Sequence, residues 1–377
     1  MLPVRRKSVL FAAVLLLAVG SAALLRDHLR GAGLLLRLTD PQARLARLGA
    51  SDVDTALFAV ADGSVPGRIY RPRGVEDPPG LVLVHGVNRL GPDDPRLVRL
   101  AEAFAATGLV VLTPRVAAFS DYRLAPEALT TIGAAASGLR RELGHPVGVV
   151  GISFAGGMAL VVATDPRFAS DIAFVVALGA HHDLERVAVF FATDRIQLPD
   201  GTMQPHESDQ YGALVLIYAD VERFFEKSDQ DGARAAIRLW LSEQWDEARA
   251  VSGNLSPAAH ARLEALFRHE RDGVRDKLIS EIHCYADELL KVSPRGKLAA
   301  LRAPVFLIHG VGDKVIPTSE TEWLAREIPP QHLRRALITT VLSHADLKKN
   351  PGMREHWEVV QFMRDVLVEA EATTKKG

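Results

Sequence analysis

The sequence predicts an α/β fold: a doubly wound, mostly parallel sheet with an inserted all-helical segment and an N-terminal hydrophobic helix. Three observations carry this expectation. Short, continuously apolar runs alternate with amphipathic helical patterns, as parallel strands buried on both faces require. Between Leu178 and Val305, roughly 125 residues keep helical spacing without a convincing strand. An uncharged apolar run over 9–25 follows Arg5, Arg6 and Lys7.

The elements follow in order. As a helix, the 9–25 run would rise about 25 Å, just enough to cross a hydrocarbon core. A basic segment ahead of an apolar one also marks a secretory signal, and Ser21-Ala22-Ala23 supplies small residues for cleavage. An uncleaved membrane anchor is the first expectation, with a cleaved signal or a buried helix as alternatives. Arg26, Arg30, Arg37 and Arg44 follow the run, so the basic-residue count alone does not set orientation. The short basic tail favours the bulk of the chain outside the cytoplasm, anchored by the N-terminal helix, or secreted if the signal is cleaved. The stretch 34–48 mixes Leu with Arg, which fits a helix lying on lipid or one packed on the protein body. Within it, Asp40-Pro41 reads as an N-cap followed by proline at the first helical position.

Strands are expected at 53–60, 65–71, 81–85, 109–113, 147–150, 172–178, 305–309 and 336–341. Asp62-Gly63 separates the first two as a hairpin turn. Helices are expected between them at 95–106, 125–143, 157–164, 319–327 and 354–370. Within the long interval, 211–226, 233–250, 257–270 and 273–292 have helical spacing, whereas 197–208 is polar and reads as a loop. The organisation expected is an N-terminal segment 1–50, a core in two parts, 51–180 and 303–377, and a helical insertion, 181–302.

Composition narrows the function. The 377 residues carry 45 basic and 46 acidic side chains, a net charge of −1, so no whole-chain field favours nucleic acid. Hydrophobic residues make up 48% and charged residues 24%, which excludes a disordered chain. The single cysteine, Cys284, can form neither an internal disulfide nor a cysteine-rich metal site.

Four motifs carry chemistry. A buried strand runs into Gly151-Ile152-Ser153-Phe154-Ala155-Gly156-Gly157, and a helix follows. A nucleophilic serine needs such a tight strand-to-helix turn to expose its hydroxyl above the sheet. Ala155 stands where the G-x-S-x-G pattern has its second glycine, a departure of one methyl group. The second motif is His85-Gly86-Val87-Asn88 at a strand end. The backbone N–H groups of Val87 and Phe154 are the expected donors for an oxyanion. The third is His309-Gly310-Val311-Gly312-Asp313, where Asp313 can orient a histidine at the sheet edge. The fourth is His344, the one of 13 histidines that follows the last strand in a loop and can take the proton from Ser153. Asp346 is a weaker rival for the acid, being only two residues away.

The order Ser153, Asp313, His344 resembles that of the α/β-hydrolases, over about 53–180 and 303–370. The chain looks most like bacterial serine esterases and dienelactone-hydrolase-like enzymes, with Ser in place of Cys. The resemblance implies cleavage of a carboxylic ester through an acyl-enzyme, on a small-molecule acyl substrate, with no cofactor and no metal. It implies that the helical interval is a cap. The other expected partner is the membrane, through the N-terminal helix; no nucleic acid is expected, and the oligomeric state is not indicated. Peptidase, amidase or C–C hydrolase activity fits the same fold, as does a non-catalytic binding protein. His181-His182-Asp183 reads as strand-end packing rather than a metal site, because adjacent histidines diverge. Asp121-Tyr122-Arg123 reads as a loop contact, and Phe190-Phe191 and Phe224-Phe225 as packing of the insertion that would also suit a pocket wall.

Overall fold

The computed structural model describes residues 25–60, 65–343 and 352–375. Its centre is an eight-stranded sheet in the order β1-β2-β4-β3-β5-β6-β9-β10. The strands are β1 (Val53–Ala59), β2 (Pro66–Pro72), β3 (Gly80–Val84), β4 (Val110–Pro114), β5 (Val147–Ile152), β6 (Ile172–Leu178), β9 (Val305–Gly310) and β10 (Leu333–Thr339). β2 runs antiparallel to both β1 and β4, and the remaining pairings are parallel. β3, β4 and β9 are buried along their whole length, as their unbroken apolar runs require. β1, at the edge, is mostly exposed.

Helices cover both faces. On one, α1 (25–39), α2 (Pro95–Ala105) and α13 (Met353–Thr374) pack a cluster that includes Leu34, Leu97, Phe174, Phe306 and Phe362. On the other, α3 (Glu127–Leu143) and α4 (Phe154–Thr164) join the helical insertion in a second cluster. Local chemistry sets the ends. The Asp94 carboxylate caps α2 by accepting the Arg96 N–H, with Pro95 at the first turn. α3 stops at Gly144, whose φ of +82° suits a left-handed C-terminal residue.

The insertion contains α5 (Leu184–Thr193), α6 (Gln210–Ala219), α7 (Gln230–Leu241), α8 (Trp245–Ser252), α9 (Pro257–Phe267), α10 (Arg275–Cys284) and α11 (Ala286–Lys291). It is not wholly helical. β7 (Arg195–Gln197) pairs antiparallel with β8 (Met203–Pro205), where the sequence reads as a loop; the turn at Asp200-Gly201 closes a short polar hairpin. The 233–250 pattern divides at Glu243, whose φ is +62°. Before β10, α12 (Ser319–Glu327) returns the chain to the sheet. The fully buried Glu320 carboxylate accepts the His182 and Asp183 N–H groups and pairs with Arg186, tying the start of the insertion to α12.

The N-terminal expectations change most. Among the described residues no helix is long and apolar enough to cross a membrane, so the membrane-anchored localisation, with its transmembrane or signal-anchor helix and membrane partner, is not supported. The run before Leu25, and the Asp62-Gly63 turn, lie outside the described residues. α1 packs on the protein body. Leu34 and Leu35 are buried in the first cluster, Arg30 donates to the Thr107 carbonyl at 2.9 Å, and Arg30 also pairs with Glu371. Apolar side chains buried against protein have no surface left for lipid. Asp40 closes this helix through its N–H to Leu36 rather than opening the next.

Candidate active site

Ser153 sits where β5 meets α4, with φ +59° and ψ −130°. A side chain rarely adopts that backbone, and such strain persists only where neighbours enforce it. The Ser153 N–H donates to Leu178 O on β6 at 2.7 Å, and the Gly156 N–H donates to Ser153 O at 2.9 Å. Gly151 is required because a Cβ there would collide with the backbone of Ala155 and Gly156. Gly157 is required because its Cβ would collide with the His181 ring. Position 155 tolerates a side chain: the Ala155 methyl is fully buried among core residues. The departure from the glycine pattern is thus absorbed by packing.

The His85 turn lies directly against the serine, with a Cβ on Gly86 falling 3.5 Å from Ser153 Cβ. Burial pushes the His85 pKa down to about 4, so its ring is neutral. Nδ1 donates to Gly86 O at 2.7 Å and Nε2 accepts the Val116 N–H at 3.1 Å. Asn88 Nδ2 donates to the same Gly86 oxygen at 3.2 Å, and Asn88 Oδ1 accepts the Gly91 N–H. In a trans peptide the N–H points opposite to the C=O. Fixing Gly86 O therefore fixes the direction of the Val87 N–H, which donates to no acceptor among the described residues. The next peptide is held too, because the Tyr211 hydroxyl of α6 donates to Val87 O at 2.8 Å. Burial raises the Tyr211 pKa well above its ordinary value, keeping that hydroxyl a donor. Phe154 opens α4, and a first helical N–H has no acceptor within its helix.

Asp313 follows a turn at Gly312, whose φ is +73°. Its carboxylate is almost fully buried; Oδ1 accepts the Val315 and Ile316 N–H groups at 2.8 and 2.9 Å. His309 faces Oδ2 at 3.2 Å through Nε2, which also donates to Ile316 O at 2.8 Å. A carbonyl oxygen only accepts, so His309 carries its proton on Nε2, and Nδ1 meets the Thr321 hydroxyl at 2.7 Å. His206 Nε2 donates to the Asp313 carbonyl at 2.9 Å.

Ser153, His85, Gly86 and Val87 open into a cavity of about 550 Å³, walled on the insertion side by Tyr211, Trp240 and Trp245. That volume lies within the range of small-molecule sites. His344 and Asp346 lie outside the described residues. Ser343, immediately before His344, presses its carbonyl so closely on Gly310 that no Cβ fits there, three residues from Asp313.

Other singled-out residues have different roles. His181 donates from Nε2 to Val292 O, whereas His182 pairs with Glu327, so the two rings serve different neighbours. Tyr122 lines the cavity and donates to Leu241 O at 2.9 Å, while Asp121 pairs with Arg238. Phe190, Phe191, Phe224 and Phe225 are buried but are not among the described residues lining the 550 Å³ cavity. Sequence reasoning missed His309 and Tyr211 as site residues. His309 stood in the motif that nominated Asp313; Tyr211 is 124 residues from its partner Val87, and no local pattern marks it.

No family model matches the chain. A curated pimeloyl-[acyl-carrier protein] methyl ester esterase from Aromatoleum aromaticum is 29% identical over 259 residues, 68% of this chain and 88% of that protein. Similar solved structures include the 2-hydroxy-6-oxo-6-phenylhexa-2,4-dienoate hydrolase of Rhodococcus sp. strain RHA1, at 15% identity and a TM-score of 0.44, covering 85% of this chain and 99% of that one. Another is the acylaminoacyl peptidase of Pyrococcus horikoshii, at 13% identity and a TM-score of 0.49, covering 86% of this chain and 42% of that one. With its mostly parallel eight-stranded sheet, the strained serine turn after β5 and the esterase relative, the chain has the α/β-hydrolase fold.

Proposed function

We propose that this protein is a serine hydrolase that cleaves a carboxylic ester. Ser153 Oγ attacks the ester carbonyl, and His344 takes the hydroxyl proton. Asp313 orients the imidazole and balances its charge. The N–H groups of Val87 and Phe154 receive the oxyanion. His344 then protonates the departing alcohol. A water attacks the acyl-enzyme, gives its proton to His344 and releases the acid as Ser153 regains its own.

The observation that carries this reading is the strained Ser153 turn, set against a loop in which two hydrogen bonds fix the peptide bearing the Val87 N–H and a third holds the next peptide. Such strain is expected where geometry serves reaction. The relative's named activity, hydrolysis of a methyl ester, favours an ester over an amide. In this reading 181–302 is a cap over the core formed by 51–180 and 303–377, and its aromatic residues shape the pocket and limit water. A fluorophosphonate probe should label the wild-type protein and leave Ser153→Ala unlabelled. Equal labelling of the two would refute the assignment.

A further inference from the structure

A second cavity, of about 310 Å³, lies behind the first, on the α2 and α13 face of the sheet. Val150, Val176 and Ile308 line it from the strands, and Phe362 and Met363 line it from α13. Its described lining is apolar except for Arg96 and Arg99. Both arginines are exposed residues, and the Arg96 guanidinium pairs with the Asp94 carboxylate at 2.8 Å, so their stems can complete an apolar wall.

The two cavities share Arg96, Leu100 and Leu178. Leu178 is also the residue whose carbonyl accepts the Ser153 N–H at 2.7 Å. The shared wall is therefore bonded to the backbone of the nucleophile. The two spaces differ in chemistry: Asn88, Asp94, Gln210 and Glu243 line the first, and none of these faces the second.

We infer that the second cavity is an acyl-chain site and that the substrates are esters of unbranched, medium-chain fatty acids. This inference rests on the serine hydrolase reading. The acyl group stays bonded to Ser153 between the two half-reactions, so its chain needs a place beside the nucleophile. The alcohol must leave, and the larger polar-lined cavity suits it. A cavity whose described lining is apolar apart from two arginines suits recognition of chain length rather than of a head group. Each methylene that enters should raise kcat/KM about fourfold, the effect of removing one CH2 from water.

The test uses the full chain and the p-nitrophenyl esters of acetate, butyrate and octanoate. Wild-type kcat/KM should rise with length, with octanoate at least tenfold above acetate. Met363→Trp and Leu38→Trp fill the cavity from two different helices. Each should cut the octanoate-to-acetate ratio at least tenfold, and thermal melts identify which variants are folded. A flat or falling wild-type profile, or an unchanged ratio in a folded variant, would overturn the inference while fluorophosphonate labelling of Ser153 leaves the hydrolase reading standing. No turnover of any ester together with no labelling would overturn both.

Discussion

At the scale of single residues, Asp313, the acid of the proposed mechanism, does not stand as a lone carboxylate. It has one oxygen engaged by two backbone amides and the other facing a buried histidine. Each carboxylate oxygen has two lone pairs, so Oδ2 can accept from His309 and from a second imidazole together. In the proposed mechanism His309 then acts through Asp313, as a positioning residue. Asp313→Asn should lower kcat about ten-thousandfold with little change in KM, the loss expected when the base is held in the wrong tautomer. His309→Leu should lower kcat about tenfold, as the loss of an orienting partner does. In the Asp313→Asn background, His309→Leu should cost nothing further, because the group it orients is already disabled. Additive losses in kcat would show that His309 acts elsewhere.

At the scale of elements, the correction at the N-terminus makes a stability prediction. Leu34 is fully buried under α1, so Leu34→Ala should cost about 2–5 kcal/mol in urea unfolding of the detergent-free protein. No loss would mean that α1 does not pack as described. The sequence revealed most of the sheet for a physical reason. β6 and α12 match the expected bounds, and the other strands of the large sheet differ by up to three residues at an end; the interior strands were plain because a strand buried on both faces must be apolar throughout. The insertion was less legible. Helical spacing was visible, but the split at Glu243 depends on one backbone angle, and the β7–β8 hairpin is too polar and short to announce itself. α1 was ambiguous because apolar residues facing protein and apolar residues facing lipid read alike. In the site, Ser153 and the His85-Gly86 turn were legible, since tight backbone packing demands small residues at fixed offsets. Tyr211 was not, because its contact with Val87 exists only once the insertion has folded onto the core.

At the scale of the whole molecule, two buried histidines link the fold to pH. Burial holds His85 and His181 down to about 4, against an ordinary value of 6.5. The unfolded chain therefore binds more protons as pH falls, and stability declines with it. The contribution is complete above pH 6.5, falls between 6.5 and about 4, and is lost below that. Each histidine accounts for about 3 kcal/mol of that decline. Urea midpoints measured at pH 7.5 and 4.5 should show the loss, and a midpoint unchanged across that window would contradict the burial of these rings. The same residues also join the fold to its chemistry. His181 is packed on Gly157, just behind the Ser153 turn, and His85 orients the Val87 peptide. Loss of structure and loss of activity should therefore run together in acid.

The central claim is that Ser153 forms a covalent acyl-enzyme, and the most direct measurement is the mass of the peptide containing it. The protein should be mixed with p-nitrophenyl octanoate, quenched in acid within the first turnovers and digested. The account predicts one octanoyl group on the Ser153 peptide of the wild type, and none on that of Ser153→Ala or His344→Ala. Steady turnover with that peptide unmodified, or turnover by Ser153→Ala at the wild-type rate, would contradict it.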